Sequence, residues 1–441
     1  MNAPKTADIL ITGGTILCLD EELRVLNDHA LAVKDGRIED IFPLGSADYE
    51  AKKSIDAGGC IVMPGLINAH THLPMTYFRG LADDLPLQTW LNDYIWPLES
   101  KLLDADFVRK AALHGAAEMI KNGITQIHDM YFYMSSVADA CTQAGLRAIV
   151  GEAVIEGNAN SGAEFSPGAR VVELRRAYQG NPLVDFDLSP HSIYACSRAT
   201  LQRCAQVASD EGILLHMHLS ETSHEVDDCL HEHGLRPVHY LKEIGFLELP
   251  AVYAHGVWLD GDEIALLAEN PAAIAVCSES NLKLASGILP LKGLLDAGVN
   301  LCFATDGVAS NNDLDILAEI DLTAKLHKAV NNDPSFLPAA RVLQMATRDA
   351  AKALGVGNRR GSLEPGKDAD ICLLSLQELE CQPVYDPHSH VVYALGARHV
   401  RDVLIAGEVV LKNGKLTKVD EEEIVATALD TREAVLRELR K

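Results

Sequence analysis

The sequence predicts an α/β protein, a (β/α)8 barrel carrying a small β-sandwich domain built from both chain termini. Three observations predict it. From residue 61 onward one unit recurs: a short apolar run with a polar or histidine-bearing end, then a longer stretch with the apolar spacing of a helix. About eight such runs occur, the number that closes a parallel barrel. The two ends of the chain instead show short alternating strands joined by glycine turns.

At the start, Asp8–Ile16 and Ala30–Ile38 carry the strand-and-turn pattern, and Asp370–Leu374 and Arg401–Val410 mirror it at the end. One β domain made from residues 1–60 and 359–420 is therefore expected, with a barrel over 61–358 inserted in it and a terminal amphipathic helix over 421–441. The barrel strands read as Ile61–Asn68, Ile124–His128, Arg147–Ala153, Val184–Ser189, Ile213–Leu219, Ala251–His255, Ala273–Cys277 and Leu301–Thr305. Helices are expected between them, for instance Phe107–Asn122 before Gly123 and Thr200–Glu211 before Gly212, where glycine supplies a left-handed cap. Asn158–Pro167, rich in small and polar residues, reads as a mobile loop near the barrel mouth.

A chain of 441 residues with 48% hydrophobic residues can bury a large core. Its formal charge of -25 argues against binding phosphate backbones or anionic membranes, which leaves a small molecule as the expected partner. No basic start is followed by a long apolar core, and no apolar stretch reaches the length of a membrane span, so a cytoplasmic location is expected. The ten cysteines are scattered singly through apolar surroundings with no CxxC pair, as reduced core residues would be.

Chemistry concentrates at the ends of the apolar runs. The run Ile61–Asn68 leads into His70-Thr71-His72, and side chains two apart on a strand point the same way. Paired neutral imidazoles of this kind suit a borderline ion such as zinc. Other run ends carry His191, then His216, His218 and Glu221, then His255, then Asp306. The carboxyl ends of the strands are where barrel enzymes assemble their sites. His114, His224, His231, His233, His239, His327, His388, His390 and His399 lie away from these ends and read as ordinary core or surface residues.

The motifs Pro64–Met75, Leu81–Leu87 with Trp96–Glu99, His218–Thr222, Ala254–Trp258, Ser280–Gly287 and Thr305–Gly307 give the chain a resemblance that covers nearly all of it. It resembles the amidohydrolase superfamily and, within it, the 5-methylthioadenosine/S-adenosylhomocysteine deaminase group, related to chlorotriazine hydrolases. The resemblance implies a single divalent metal held by His70, His72, His218 and Asp306, with water in the open position. A metal so placed lowers the pKa of its water toward neutrality. His216 shares a strand face with His218 and is the alternative ligand, although it reads first as a packed residue of a second layer. Zinc is the expected ion, although such a donor set also accepts iron, manganese, cobalt or nickel.

The activity implied is hydrolytic deamination of 5'-methylthioadenosine, adenosine or S-adenosylhomocysteine to the inosine analogue and ammonia. Glu221 would protonate the ring nitrogen, Asp306 would take the water's proton and pass one to the leaving ammonia, and His255 would stabilise the adduct. Glu99 would accept hydrogen bonds from the ribose hydroxyls and His191 would contact the sugar or base. Trp90, with Trp96 and Trp258, would either line an apolar pocket for the purine or thioether or serve as ordinary packing. Some members carry a basic residue after the third strand to meet the amino-acid carboxylate of S-adenosylhomocysteine, where this chain reads Glu152, which turns the expectation toward methylthioadenosine or adenosine unless an Arg such as Arg170, or one from a neighbouring subunit, reaches in. Barrels of this kind often pair through exposed helices, so a homo-oligomer is expected. Two other readings use the same barrel: hydrolysis of a triazine or guanine-like heterocycle, in which Glu99 and His191 would be dispensable, and a non-catalytic scaffold, which would bind no metal.

Overall fold

Eight consecutive strands form one sheet in chain order: β1 (Leu66–Thr71), β2 (Ile124–Tyr131), β3 (Arg147–Val154), β4 (Val184–Pro190), β5 (Leu215–Leu219), β6 (Ala251–His255), β7 (Ala272–Val276) and β8 (Asn300–Phe303). The pairs from β3 through β8 are parallel, as crossover helices require. Closure comes from a parallel bridge between Thr71 and Asp306, in which the Asp306 N–H donates to His70 O (3.1 Å) and the Thr71 hydroxyl donates to Asp306 O (3.0 Å). This computed structural model describes residues 5–157 and 166–439, so most of the loop read at 158–167 lies outside the described residues.

Nearly every residue of β1 to β8 is buried, because one face of the sheet fills the barrel and the other meets helices. That explains why the strands read as continuous apolar runs. It also makes every polar side chain in them a group that must find a partner inside the protein.

The chain divides into two compact units, one of Met1–Asn68, Ala117–Gln126 and Asp315–Val419, the other of Ala69–Ala116, Ile127–Leu314 and Asp420–Lys441. In the first, Lys5–Thr12 lies between Tyr49–Asp56, to which it is parallel, and His29–Lys34, to which it is antiparallel. A second sheet pairs Cys60–Pro64 antiparallel with Ile371–Ser375, and this pairing joins the two ends of the chain. Ile9, Ile11, Leu31, Val62, Ile371, Leu373 and Leu404 fill its core.

The run read as one strand, Ile61–Asn68, is two. Cys60–Pro64 belongs to the terminal sheet, and the barrel strand starts at Leu66. The break falls at Gly65, where a Cβ would lie 2.1 Å from the Thr125 side chain, so only glycine lets the backbones approach. Both pieces are buried throughout, which is why hydropathy does not reveal the junction. The read strand Ile213–Leu219 begins two residues later, and Leu301–Thr305 ends at Phe303, leaving Thr305 and Asp306 beyond the strand. The expected helices are present as Ala105–Lys121 and Arg198–Glu211, the latter capped by Ser197, whose side chain accepts from the Thr200 N–H. The terminal helix runs Glu421–Leu439.

Candidate active site

His70 is the fifth residue of β1, and His72 follows the strand where the chain turns into a short 3-10 helix, Leu73–Phe78. His218 comes from β5 and Asp306 from the residue that closes the barrel beyond β8. One donor atom from each of His70, His72, His218 and Asp306 lies within 4.8 Å of the others. The Nε2 atoms of His70 and His72 each stand 3.3 Å from Asp306 Oδ1, and the Nε2 atoms of His72 and His218 face each other at 3.2 Å.

These donors fit a divalent cation. His72 Nδ1–H donates to Met130 O (2.7 Å) and His218 Nδ1–H to His191 O (2.8 Å), so each neutral ring keeps its lone pair on Nε2. Two lone pairs face to face beside a carboxylate oxygen repel unless positive charge lies among them. Three imidazoles and one carboxylate are a zinc-type donor set. The remaining Asp306 oxygen, Oδ2, accepts from the Ser280 hydroxyl (2.6 Å) and the Ser310 hydroxyl (2.7 Å), which turns Oδ1 inward. Without an ion, a proton takes up the positive charge this corner calls for. Burial works against a charged His72, yet the Asp306 carboxylate raises it to about 9; burial drives His70 down to about 3. Asp306 itself is held well below the usual carboxylate range, against the effect of burial, by its bonds to the two histidines.

Around this corner opens a cleft of about 620 Å³, counting the open solvent at its mouth, to which Glu221, His255, His191, Glu99 and Trp90 all contribute. His255 Nδ1–H donates to Asn281 Oδ1 (2.9 Å), which turns Nε2 toward Glu221 Oε2 at 3.8 Å. Burial pushes the Glu221 carboxyl above its ordinary value. Its backbone is fixed by Glu225, whose carboxylate accepts from the N–H groups of Ser220 and Glu221, both at 2.8 Å. Glu99 is 3% exposed, takes a 2.5 Å bond from the Tyr131 hydroxyl, and is pushed up to about 7 by burial. His191 is driven down to about 3 by burial, so its ring is neutral, with Nδ1 3.1 Å from the Ser192 hydroxyl.

His216 stands outside the group of four donors: it lies behind His70, with its Nε2 2.8 Å from His70 Nδ1. Three readings of the sequence change. Trp90 and Trp96 line the cleft, but Trp258 does not; it is 45% exposed and donates its Nε1–H to Ser286 O (2.8 Å). Glu152 is not a wall of the cleft either. Ala153 lines it, and Glu152 on the alternate face of β3 accepts instead from the Gly168 N–H (3.1 Å) at the start of the helix Ala169–Ala177. Arg170 is exposed and outside the cleft lining. Tyr131, Asn281, Ser280, Ser310, His128 and Asp187 received no role from the sequence. His128 ends a predicted strand and Asp187 is an acid within one, and charge in an otherwise apolar run was the available signal.

A model of the amidohydrolase family matches residues 61–410. The chain belongs to the amidohydrolase family. This family member is 41% identical over 419 residues to a protein of Thermodesulfovibrio yellowstonii named 5-methylthioadenosine/S-adenosylhomocysteine deaminase, covering 94% of this chain and 95% of the relative. It is 40% identical to a 5'-deoxyadenosine deaminase of Methanothermobacter thermautotrophicus, over 95% of this chain and 97% of that one. A crystal structure of an adenosine deaminase from Xanthomonas campestris with bound zinc superposes with a TM-score of 0.94 at 37% identity, covering 98% of this chain and 100% of the other.

Proposed function

We propose that this chain is a zinc-dependent aminohydrolase that converts adenosine-type nucleosides with an uncharged 5' end to their inosine analogues and ammonia. The observation that carries the proposal is the convergence of His70, His72, His218 and Asp306 in a cleft that Glu221, His255 and Glu99 also line. The deaminase names of the relatives, and the zinc in the Xanthomonas structure, support a metal-dependent aminohydrolase; the preference for an uncharged 5' end is drawn from the cleft, since the first relative's name includes S-adenosylhomocysteine as well.

When bound, the ion supplies Lewis-acid activation of water, bringing its pKa toward neutrality. The protein does the rest. Asp306 Oδ1 takes a proton from the attacking water and later passes one to the departing ammonia, while Ser280 and Ser310 hold the other oxygen still. Glu221, its protonated form favoured by burial, gives a proton to the ring nitrogen next to the attacked carbon and takes one back from the adduct hydroxyl as the carbonyl forms. His255, anchored through Nδ1 by Asn281, would stabilise the oxygen on which negative charge develops when its ring carries a proton on Nε2 as well, so that Nε2–H donates to that oxygen. Glu99, held by Tyr131, accepts the two hydroxyls of the ribose, a pair of donors that a carboxylate receives together. His191 contacts the sugar or base, and Trp90 packs on apolar parts of the substrate.

The preference among nucleosides rests on the cleft wall. Leu87, Leu91, Phe132 and Ile155 line it, no Lys or Arg is among its described lining residues, and Glu99 and Glu221 are. A methylthio or methyl group at C5' matches that wall, whereas the amino-acid carboxylate of S-adenosylhomocysteine would be buried without a counter-charge. All ten cysteines are buried free thiols, which supports a reducing compartment, and we take the cytoplasm as the location. No described helix is long and apolar enough to cross a membrane. A homo-oligomer is part of the proposal, to be checked by light scattering.

The test is an ultraviolet deamination assay of purified protein on 5'-methylthioadenosine, 5'-deoxyadenosine, adenosine, S-adenosylhomocysteine, guanine and an aminotriazine, with metal content measured on the same sample. Loss of the adenine band is expected for the nucleosides alone, slowest for S-adenosylhomocysteine. Turnover of guanine or the triazine without the nucleosides overturns the substrate assignment. Protein that binds no zinc and acts on none of them overturns the enzyme.

A further inference from the structure

Beneath the four donors lies a second buried layer of the barrel interior: His128 on β2, Asp187 on β4 and His216 on β5, each 0% exposed. His128 Nε2–H donates to Asp187 Oδ2 at 2.5 Å, and the Ser189 hydroxyl donates to Asp187 Oδ1 at 3.1 Å. The His128 and His216 rings stack, with centroids 3.8 Å apart and planes 19° from parallel. His216 then meets His70, Nε2 to Nδ1, at 2.8 Å. Room for Asp187 is made by its neighbour across the sheet, Gly151, where a Cβ would come within 2.4 Å of the Asp187 carboxylate and 2.0 Å of the Ser189 hydroxyl.

One proton lies between His70 and His216, and its position decides what His70 can do. If His216 donated from Nε2, its Nδ1 lone pair would be turned toward Asp187 Oδ2 at 4.0 Å, lone pair against carboxylate. If His70 donates instead, His216 carries its proton on Nδ1, facing the carboxylate, and the His70 lone pair is left on Nε2, 3.3 Å from Asp306 Oδ1 and among the other donors. The Asp187 charge favours the second arrangement, the one in which His70 can coordinate.

We propose that His216 is a positioning residue that fixes the tautomer and ring plane of His70 for metal binding, with Asp187 and His128 holding His216 in turn. This rests on the reading of His70 as a metal ligand. Partners that orient a metal-bound histidine typically carry a factor of about 10 to 100 in metal affinity.

The experiment compares zinc affinity by competition with a chromophoric chelator, and zinc stoichiometry, for wild type, His216→Leu and His216→Gln, with folding followed by circular dichroism. Wild type is expected to take one zinc per chain, His216→Leu to bind it about 10- to 100-fold more weakly, and His216→Gln, whose amide oxygen can still accept from His70 Nδ1–H, to recover most of the loss. Equal affinity in wild type and folded His216→Leu overturns the proposal. So does a second zinc in wild type that His216→Leu loses, because the buried trio would then itself be a metal site. If His216→Leu does not fold, Asp187→Asn, which keeps the shape and removes the charge, takes its place: a loss of about 10-fold supports the proposal and an unchanged affinity overturns it. Wild type that takes no zinc at all refutes the metal reading first, a distinguishable result.

Discussion

Glu99→Gln should make the protein more stable and a worse nucleoside enzyme at once. Burial raises the Glu99 carboxyl from an ordinary 4.5 to about 7, against the opposing bond from Tyr131. An acid whose folded pKa is raised binds its proton more tightly when folded, so stability falls as pH climbs from 4.5 through 7 and stays low above. Over that shift the ionised carboxylate costs the fold about 1 kcal/mol at pH 5.5 and about 3 kcal/mol at pH 8.5. Glutamine keeps an oxygen for the Tyr131 hydroxyl and does not titrate, so thermal unfolding of zinc-loaded variant and wild type should separate by about 2 kcal/mol more at pH 8.5 than at pH 5.5. Function moves the other way. Replacing the charged acceptor of two ribose hydroxyls should lower kcat/KM for methylthioadenosine by roughly 30- to 150-fold, or about 2–3 kcal/mol, mostly through KM. A 2',3'-dideoxy substrate should be hardly affected. A stability difference that does not change with pH, or an equal loss on the dideoxy substrate, would refute the reasoning about Glu99.

Glu221→Gln should retain its metal and lose kcat by roughly 100-fold or more, and near-normal turnover with metal content confirmed removes Glu221 from the proton transfer. Replacing His255 by Asn should reduce kcat by about 10²–10³ with little change in KM, since the charge it meets arises only along the reaction path; a pure KM effect in steady-state kinetics contradicts this. Dialysis against a chelator should abolish deamination and lower the midpoint of thermal unfolding, and one equivalent of zinc should restore both, because an ion bound by the folded state alone adds its binding free energy to stability. Full activity in protein shown to be metal-free sinks the metal requirement.

The barrel was legible because its strands are buried on both faces, and uninterrupted apolar runs with polar ends are what that burial selects. His70 and His72 stood out for the same reason: two imidazoles at the end of such a run have no place in an apolar core without a task. Contacts made through space were not legible. Gly65 divides two strands because Thr125, sixty residues away, comes too close for any side chain. Glu152 looked like a repulsive group at the mouth, but strand alternation sends it to the helix side, and only the register of β3 decides which of Glu152 and Ala153 faces inward. His216 and His218 share one face of β5, and sequence spacing cannot say which layer reaches Asp306. The structure separates them by depth, with His218 among the donors and His216 behind His70.

Backbone strain gathers at the same ends of the strands. Ser220, His255 and Asp306 follow or end β5, β6 and β8, and all three adopt left-handed φ values of 49°, 74° and 60°. For residues with a side chain this conformation costs on the order of 1 kcal/mol each. These turns stand where the strands give way to the site: Glu221, next after Ser220, lines the cleft, as do His255 and Asp306. The turns are kept by bonds made at the same spot: Glu225 accepts from Ser220 N–H, Gly256 N–H donates to Leu219 O, and Asp306 N–H donates to His70 O. Glu225 is itself pushed up to about 7 by burial, although the two backbone N–H groups it receives pull it down. Its place is therefore that of a clamp on the Ser220–Glu221 turn rather than a second proton donor. Removing the clamp with Glu225→Ala should let that turn relax and lower kcat without touching the four donors, whereas Glu225→Gln, which still offers one acceptor oxygen, should retain part of the activity. Loss of zinc from both variants would show instead that the turn and the metal corner move as one piece.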